Sequence, residues 1–178
     1  PWSFCFVGRL EKAKGVERII KAFTALSEED KNKISRVDLV GDGFEADYFK
    51  NLALKSGVEM NFHGFLPRNE VFDLYKKNHY FLLPSDSEGF PKVIAEAMNF
   101  GCIPIVSDVS SIGQYINKTN GYLISPITSE KLKEIITLTF NEKEHVIKEK
   151  AIVGAQVSIK FTFDNYNTRV REEIIKTN

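Results

Sequence analysis

Two cations near the start of the chain have a spacing that suits the binding of a diphosphate. Arg9 and Lys14 stand five positions apart in the segment GRLEKAKG, between a short apolar run and a segment with helical periodicity. Arginine offers a planar fork for bidentate contact, lysine offers a mobile point charge, and a nearby helix N-terminus adds partial positive charge. The segment is therefore a candidate phosphate clamp, against the alternative that an exposed Arg/Lys pair is only solvated surface charge.

Two carboxylates in the segment PSDSEGFPKVIAEAMNFG form the second candidate. Glu88 falls in a loop and Glu96 follows about two helical turns later, so helical geometry places them near one side of the helix. Apolar residues surround Glu96 on nearly every helical face, and a buried carboxylate costs several kcal/mol unless it is satisfied. The hydroxyls of a ribose would satisfy it with hydrogen bonds of about 1.5–3 kcal/mol each. A narrow solvent-facing stripe or a lysine partner explains the same pattern equally well.

Backbone groups in the same segment are further candidates for binding. Gly89 lets the backbone approach a ligand closely, and Pro91 suits the first turn of a helix, where its missing N–H would be unpaired in any case. The N–H groups of Phe90, Lys92 and Val93 would then be free to bind an anion or a hydroxyl.

The segment GDGFEA matches the G-x-G-x-x-G/A fingerprint of dinucleotide-binding domains through Gly41 and Gly43. The following strand, however, ends in Asn-Phe-His, whereas that fold uses an acid there to bind the ribose hydroxyls. The match also lies on the second strand of the chain. We therefore predict a tight turn near a ligand and keep NAD or FAD binding as the weaker alternative.

The three histidines give no metal-binding pattern. His63 ends a predicted strand, but no second histidine, cysteine or carboxylate stands at a ligand spacing from it, and His79 and His145 are isolated. Cys5 and Cys102 each lie in an apolar run and are predicted to be small buried side chains, which fits a reducing cytoplasm. We predict structural or surface roles for the histidines, and neither a metal nor a cofactor.

Six short apolar runs are predicted to form the strands that carry these loops, because helix-period segments separate them. This alternation predicts a Rossmann-like, three-layer α/β/α domain with a mostly parallel six-stranded sheet, whose ligands bind beyond the carboxyl ends of the strands. We predict one domain, 1–178, with extra helices after the last strand. The predicted strands are 3–7, 37–40, 58–62, 80–83, 103–107 and 122–124; helices begin at Gly15, Glu45, Arg68 and Pro91, and the extra helices span 129–140, 142–160 and 163–176.

Composition narrows the classes of partner. The 24 basic and 24 acidic residues cancel, so no net field draws the chain toward nucleic acid or an anionic membrane. No apolar stretch reaches the roughly 18 residues that span a bilayer, and no basic-then-apolar leader precedes the first strand. The chain lacks an initiating Met and enters a strand within a few residues of Pro1, which predicts that it is part of a longer protein.

Taken together, these segments resemble the C-terminal domain of the retaining family-4 glycosyltransferases, which have the two-domain GT-B architecture. The resemblance covers nearly the whole chain and includes the E-x(7)-E pair Glu88 and Glu96. Several motifs in the same order are more specific than any one of them. The motifs are FVGRLEKAKGVERIIKAF, LVGDG, VEMNFHGFLPRNEVFDLY, FLLPSDSEGFPKVIAEAMNFGCIPIVSDV, NGYLI and FTFDNYNTRVREEI.

The resemblance implies a role for each candidate residue. Arg9 and Lys14 would neutralise the donor diphosphate and stabilise the leaving nucleoside diphosphate. Glu88, the third implied catalytic residue, would lie by the transferred sugar, and Glu96 would bind the ribose hydroxyls. The remaining implied donor-binding residues would surround the sugar, the phosphates and the base: Gly8, Gly41, Gly43, Gly64, Phe65, Gly89, Phe90, Pro91, Lys92 and Val93.

The same resemblance implies a nucleotide-diphosphate sugar as donor, no metal, and transfer with retention to a sugar or lipid-linked acceptor. The acceptor would be held by an N-terminal domain that this chain does not contain. A cytoplasmic enzyme of cell-surface polysaccharide or lipopolysaccharide synthesis is the implied context, with peripheral attachment to the inner face of the plasma membrane left open. A nucleotide-binding module without transferase activity and a GT-B-like isomerase or phosphorylase are the alternatives.

Two positions depart from the family pattern. The run Ser-Ser-Ile-Gly-Gln at 110–114 stands where the family often has two glycines, an apolar residue, proline and glutamate. Close backbone approach to a ligand at that loop is therefore in question. Lys92 replaces a residue that is commonly apolar, and we expect it to tune the choice of donor sugar or to add a phosphate contact.

Overall fold

The computed structural model describes residues 1–89 and 92–161. Within them, six parallel strands form one sheet in the order β3-β2-β1-β4-β5-β6. The order reverses between β1 and β4, and ligands of open parallel sheets bind in the crevice beside such a reversal. The strands are β1 Trp2–Val7, β2 Ile34–Val40, β3 Met60–Gly64, β4 Tyr80–Leu83, β5 Ile103–Ser107 and β6 Tyr122–Ile124.

Helices cover both faces of the sheet. Right-handed crossovers place the helices that lead toward β3 on one face and those that lead toward β6 on the other; accordingly α1 packs against α3 and α6, whereas α5 packs against α4 and α7. The α-helices are α1 Val16–Thr24, α2 Glu28–Lys31, α3 Ala46–Ala53, α4 Arg68–Lys76, α5 Lys92–Asn99, α6 Ser129–Thr139 and α7 Glu144–Ser158, and 3₁₀ turns occupy Lys12–Lys14, Ile112–Gln114 and Ile159–Phe161.

The predicted architecture is confirmed, and β4, β5 and β6 match the prediction residue for residue. β1 and β2 begin one and three residues earlier than predicted. The prediction for β3 was wrong by two residues, because Ser56 holds the chain in a turn: its Oγ accepts from the N–H of Val58 and donates to the carbonyl of the same residue. The short helix α2 was not predicted; Ser27 begins it by accepting from the N–H of Asp30. The predicted helix 163–176 lies outside the described residues.

The core forms around β1, whose central residues are buried on both faces of the sheet. Phe4 stacks on Tyr80 of β4 with ring centroids 5.2 Å apart. Both cysteines are free and buried, as predicted. The thiol of Cys102 donates to the carbonyl oxygens of Tyr75 and Asn78 at 3.1 and 3.2 Å, which fixes α4 against the loop before β5.

A buried carboxylate on β2 gives His63 the structural role that was predicted for it. Asp38 is 4% exposed, and both of its oxygens are used: Oδ1 lies 2.9 Å from Nε2 of His63, while Oδ2 accepts from Asn78 and Arg36 at 2.9 and 3.0 Å. Burial raises the pKa of Asp38, but the hydrogen bonds from Asn78, His63 and Arg36 together outweigh burial and hold the pKa below its ordinary value.

We expect Asp38→Asn to lower the free energy of unfolding by about 1–3 kcal/mol at pH 7, because an amide nitrogen would face donors. Since the pKa of Asp38 is depressed in the folded state, its contribution is complete above the unfolded pKa and is lost as pH falls through the folded pKa. Urea unfolding at pH 7 and at pH 3 should therefore show a smaller difference between variant and wild type at pH 3.

Asp47→Asn is the matched control, because the side chain of Asp47 is 93% exposed and its loss should change stability by less than about 0.5 kcal/mol. An equal loss of stability in the two variants would contradict the importance assigned to Asp38.

Candidate functional site

Two loops meet at the carboxyl edge of the sheet, one after β1 (8–15) and one after β4 (84–89). Their strands are neighbours in the sheet. The N–H of Asp86 donates to the carbonyl of Ala13 at 2.9 Å. Arg18 of α1 donates to the carbonyl of Pro84 at 3.0 Å and forms an ion pair with Asp86. The candidate phosphate clamp and the loop that carries Glu88 are therefore one connected structure.

Gly15 allows this contact between the loops. Its φ is +82°, in the left-handed region that favours glycine. A Cβ at this position would lie 2.1 Å from the carbonyl oxygen of Pro84. Any other residue would separate the two loops or strain the start of α1.

The glycines of the GDG segment are required by a second approach between loops. A Cβ on Gly41, whose φ is +130°, would lie 1.9 Å from the carbonyl oxygen of Gly8, and one on Gly43 would lie 2.4 Å from that of Leu10. The N–H of Gly41 also donates to the carbonyl of Gly64 at 2.8 Å. Contacts within the protein thus explain the spacing of these glycines without a bound dinucleotide, and they fit the predicted tight turn.

The structure brings Lys14 and Glu88 together. Nζ of Lys14 lies 2.5 Å from Oε1 of Glu88, in a pair that joins the two loops. The side chain of Glu88 is only 10% exposed, whereas that of Lys14 is 31% exposed. The lysine therefore supplies a counter-charge to a shielded carboxylate, and its own ammonium group remains accessible from solvent.

Arg9 does not share this partner. Its side chain is 73% exposed and pairs with Glu11, two residues along the same loop, at 2.5 Å. Arg9 and Lys14 thus belong to one loop but to separate ion pairs. An exposed arginine in such a pair is free to reorient at small cost, because exposed ion pairs contribute about 0–1 kcal/mol.

Glu96 lies on α5 with 28% of its side chain exposed. Its Oε1 accepts from Nη2 of Arg68, the first residue of α4, at 3.2 Å. The sequence indicated that Glu96 needs a partner but offered a lysine or a ribose. The observed partner is an arginine of another helix, and nothing in the sequence pointed to it.

Most of the other predicted donor-binding residues have little packing around them or lie outside the described residues. A Cβ on Gly64 or on Gly89 would meet no heavy atom of the described residues within 4 Å. Phe65 is 84% exposed, Lys92 is exposed and Val93 is half-buried. Gly8 contacts the GDG segment, as described above, and Phe90 and Pro91 lie outside the described residues.

The loop that departs from the family pattern keeps a glycine-like backbone. Ser110 has φ +50°, a conformation that a residue other than glycine rarely adopts. The loop after β5 therefore contains a left-handed residue even though a serine occupies the position.

Within residues 1–89 and 92–161, no three side chains of His, Cys, Asp or Glu are grouped so that they could hold a metal ion. Nor does any helix in that part of the chain have the length and apolar character needed to cross a membrane.

Comparison with known proteins gives a consistent result. The profile of the family described as glycosyl transferases group 1 matches residues 1–153. An uncharacterized glycosyltransferase of Haemophilus influenzae is 34% identical over 142 residues, which cover 78% of this chain and 39% of that protein. The putative teichuronic acid biosynthesis glycosyltransferase TuaC of Bacillus subtilis is 29% identical over 162 residues, covering 89% and 38% respectively.

The fold also matches solved structures. Anabaena HepE, crystallised in complex with UDP and glucose, superposes with a TM-score of 0.81 at 22% identity, over 99% of this chain and 48% of HepE. The sheet, the crevice and the sequence motifs thus define a Rossmann-like domain of the GT-B class. The chain belongs to the glycosyl transferases group 1 family, and it spans about two fifths of the length of the curated relatives named above.

We expect Lys14→Met to lower the free energy of unfolding by about 1–3 kcal/mol, because it leaves a shielded carboxylate without a counter-charge. Adding Glu88→Gln to this variant should recover most of the lost free energy of unfolding, because the side chain at position 88 then carries no buried charge. Denaturant unfolding at pH 7 and low salt measures both effects.

Lys131→Met is the control, because Lys131 forms an exposed ion pair with Glu134 within α6, and its removal should change stability by less than about 0.5 kcal/mol. A double variant no more stable than Lys14→Met would show that Glu88 does not depend on Lys14 for its charge.

Proposed function

We propose that this domain binds the donor of a glycosyltransferase, and that the whole protein transfers a sugar from a nucleotide-diphosphate sugar to an acceptor with retention at the anomeric carbon. The observation that carries the proposal is the Lys14–Glu88 pair, which crosses the two loops at the reversal point of the sheet. Membership of a glycosyltransferase family supports the class of reaction.

The proposed binding step is an exchange of anions around Lys14. The donor diphosphate replaces Glu88 as the partner of the ammonium group, and Arg9 turns from Glu11 to the same phosphates. Both cations then stabilise the negative charge that develops on the leaving nucleoside diphosphate, which is the transition-state stabilisation expected of preorganised cations. No metal is required in this scheme.

Glu88 and Glu96 have different tasks in the proposal. Once Lys14 has moved to the phosphates, Glu88 is a carboxylate beside the sugar, able to accept from a sugar hydroxyl or to stabilise positive charge at the anomeric carbon. Glu96 accepts from the ribose hydroxyls through charge-assisted hydrogen bonds. The base lies near Gly41, Gly64 and Phe65, and Gly89 and Lys92 lie beside the sugar and phosphates.

The relatives support a choice of donor and pathway. Because HepE binds UDP, we infer UDP as the first nucleotide to test. Because TuaC is named for teichuronic acid synthesis, we infer a role in making a cell-surface polysaccharide or lipopolysaccharide at the cytoplasmic side of the plasma membrane. We place the acceptor site on an N-terminal domain of the whole protein. The greater length of the relatives supports this proposal.

A nucleoside diphosphate present at a hundred times its dissociation constant should stabilise the fold by about 2.7 kcal/mol. Thermal shift with UDP, GDP, ADP and NAD tests this on the 178-residue chain. We expect at least one nucleoside diphosphate to raise the melting temperature and NAD to leave it unchanged, and we expect Glu96→Ala to remove most of the shift.

Glu134→Ala serves as the control for Glu96→Ala, because Glu134 also forms an ion pair with a cation but lies on α6 with 63% of its side chain exposed. It should keep the full shift. Stabilisation by NAD alone, or an equal shift in wild type and Glu96→Ala, would overturn the proposal.

A further inference from the structure

Glu96, the carboxylate proposed to bind the ribose, forms an ion pair with a cationic side chain in this structure. Arg68 donates to one of its two oxygens from α4, and no sequence motif assigned Arg68 a role. The contact lies between two side chains 28 positions apart, each at the end of the sheet where the donor is proposed to bind. A ribose that takes both oxygens of Glu96 must therefore displace this arginine or share the carboxylate with it.

The exposures of the two side chains favour displacement. Arg68 is 76% exposed, whereas Glu96 is 28% exposed, so the guanidinium group is already largely hydrated and can leave the carboxylate for water at little cost. Arg68 also lies over the ring of Phe72, with its guanidinium carbon 5.0 Å from the ring centroid. That contact gives the side chain a place to remain after it leaves Glu96.

The contact with Glu96 is weak enough to be exchanged. Ion pairs between exposed side chains contribute about 0.2–1 kcal/mol, whereas hydrogen bonds from hydroxyls to a carboxylate contribute about 1.5–3 kcal/mol each. The two hydroxyls of a ribose therefore displace Arg68 from Glu96. Breaking the Arg68–Glu96 ion pair costs free energy, however, and this cost reduces the affinity of the nucleotide for the site. As the nucleotide leaves, the ion pair between Arg68 and Glu96 forms again.

We propose that Arg68 competes with the ribose hydroxyls for Glu96 and thereby lowers the affinity of the site for the nucleotide and speeds its release. This inference rests on the proposed function, because it takes Glu96 to be the ribose ligand. Release of the nucleoside diphosphate is a step that limits turnover in many enzymes, so a competitor that shortens the lifetime of the product complex favours turnover.

Arg68→Gln tests the inference, with the tightest-binding of UDP, GDP and ADP as one probe and its 2′,3′-dideoxy analogue as the other. Titration calorimetry at low salt should show about three- to fivefold tighter binding of the ribonucleotide to the variant. Binding of the dideoxy analogue should be unchanged, because it does not displace Arg68. In 0.5 M NaCl the gain should shrink, since salt screens exposed charge pairs.

Lys76→Gln is the matched control. Lys76 ends the same helix, forms an exposed ion pair with Asp73 at 2.8 Å, and lies over the ring of Phe100 at 5.5 Å. The control removes the same charge and the same kinds of contact at the opposite end of α4. It should therefore leave the affinities for the ribonucleotide and for its dideoxy analogue unchanged. Arg68→Lys should bind the ribonucleotide with an affinity between those of wild type and Arg68→Gln.

Unchanged or weaker binding of the ribonucleotide to Arg68→Gln would overturn the inference, and so would equal tightening of the dideoxy analogue. This failure is distinguishable from failure of the proposed function. If wild type binds a nucleoside diphosphate and Glu96→Ala abolishes binding, the proposed function stands whatever Arg68→Gln does; if wild type binds none of the three, both proposals fall.

Discussion

The contact between the loop after β1 and the loop after β4 determines the geometry of the crevice. Gly15 brings its backbone against the carbonyl of Pro84, and the N–H of Asp86 donates to Ala13. These backbone contacts hold Lys14 and Glu88 2.5 Å apart. A lysine or a glutamate alone on such a loop would be ordinary surface charge, whereas the pair fixes a cation and an anion at the place where the sheet order reverses.

Most of the charged side chains in the crevice are paired within the protein. Four of the charged side chains that the sequence assigned to the donor have protein partners of opposite sign: Lys14 pairs with Glu88, Arg9 pairs with Glu11, and Glu96 pairs with Arg68. Lys92, the fifth, is exposed. Unpaired charges that are partly shielded from water are costly, so this arrangement stabilises the domain without its ligand. In the proposed function, donor binding would therefore exchange one ion-pair partner for another, and the affinity for the donor would depend on the strength of the internal pairs.

The six strands, the loop order and the meeting of the loops after β1 and β4 could be predicted, because alternating apolar runs and the carboxyl-end rule for parallel sheets depend on local pattern. The start of β3 could not be predicted, because the hydroxyl of Ser56 holds the chain in a turn before the strand. The cations that pair with Glu88 and Glu96 could not be predicted from the sequence either. Lys14 and Glu88 are 74 positions apart, and which cation reaches which acid depends on side-chain conformations that periodicity does not specify.

The most direct test of the central claim, that the donor diphosphate replaces Glu88 on Lys14, is a crystal structure of this chain with a bound nucleoside diphosphate. The account predicts Nζ of Lys14 within hydrogen-bond distance of a phosphate oxygen, the Lys14–Glu88 contact broken, and the ribose hydroxyls on Glu96. A nucleotide bound elsewhere, with Lys14 still on Glu88, would contradict it.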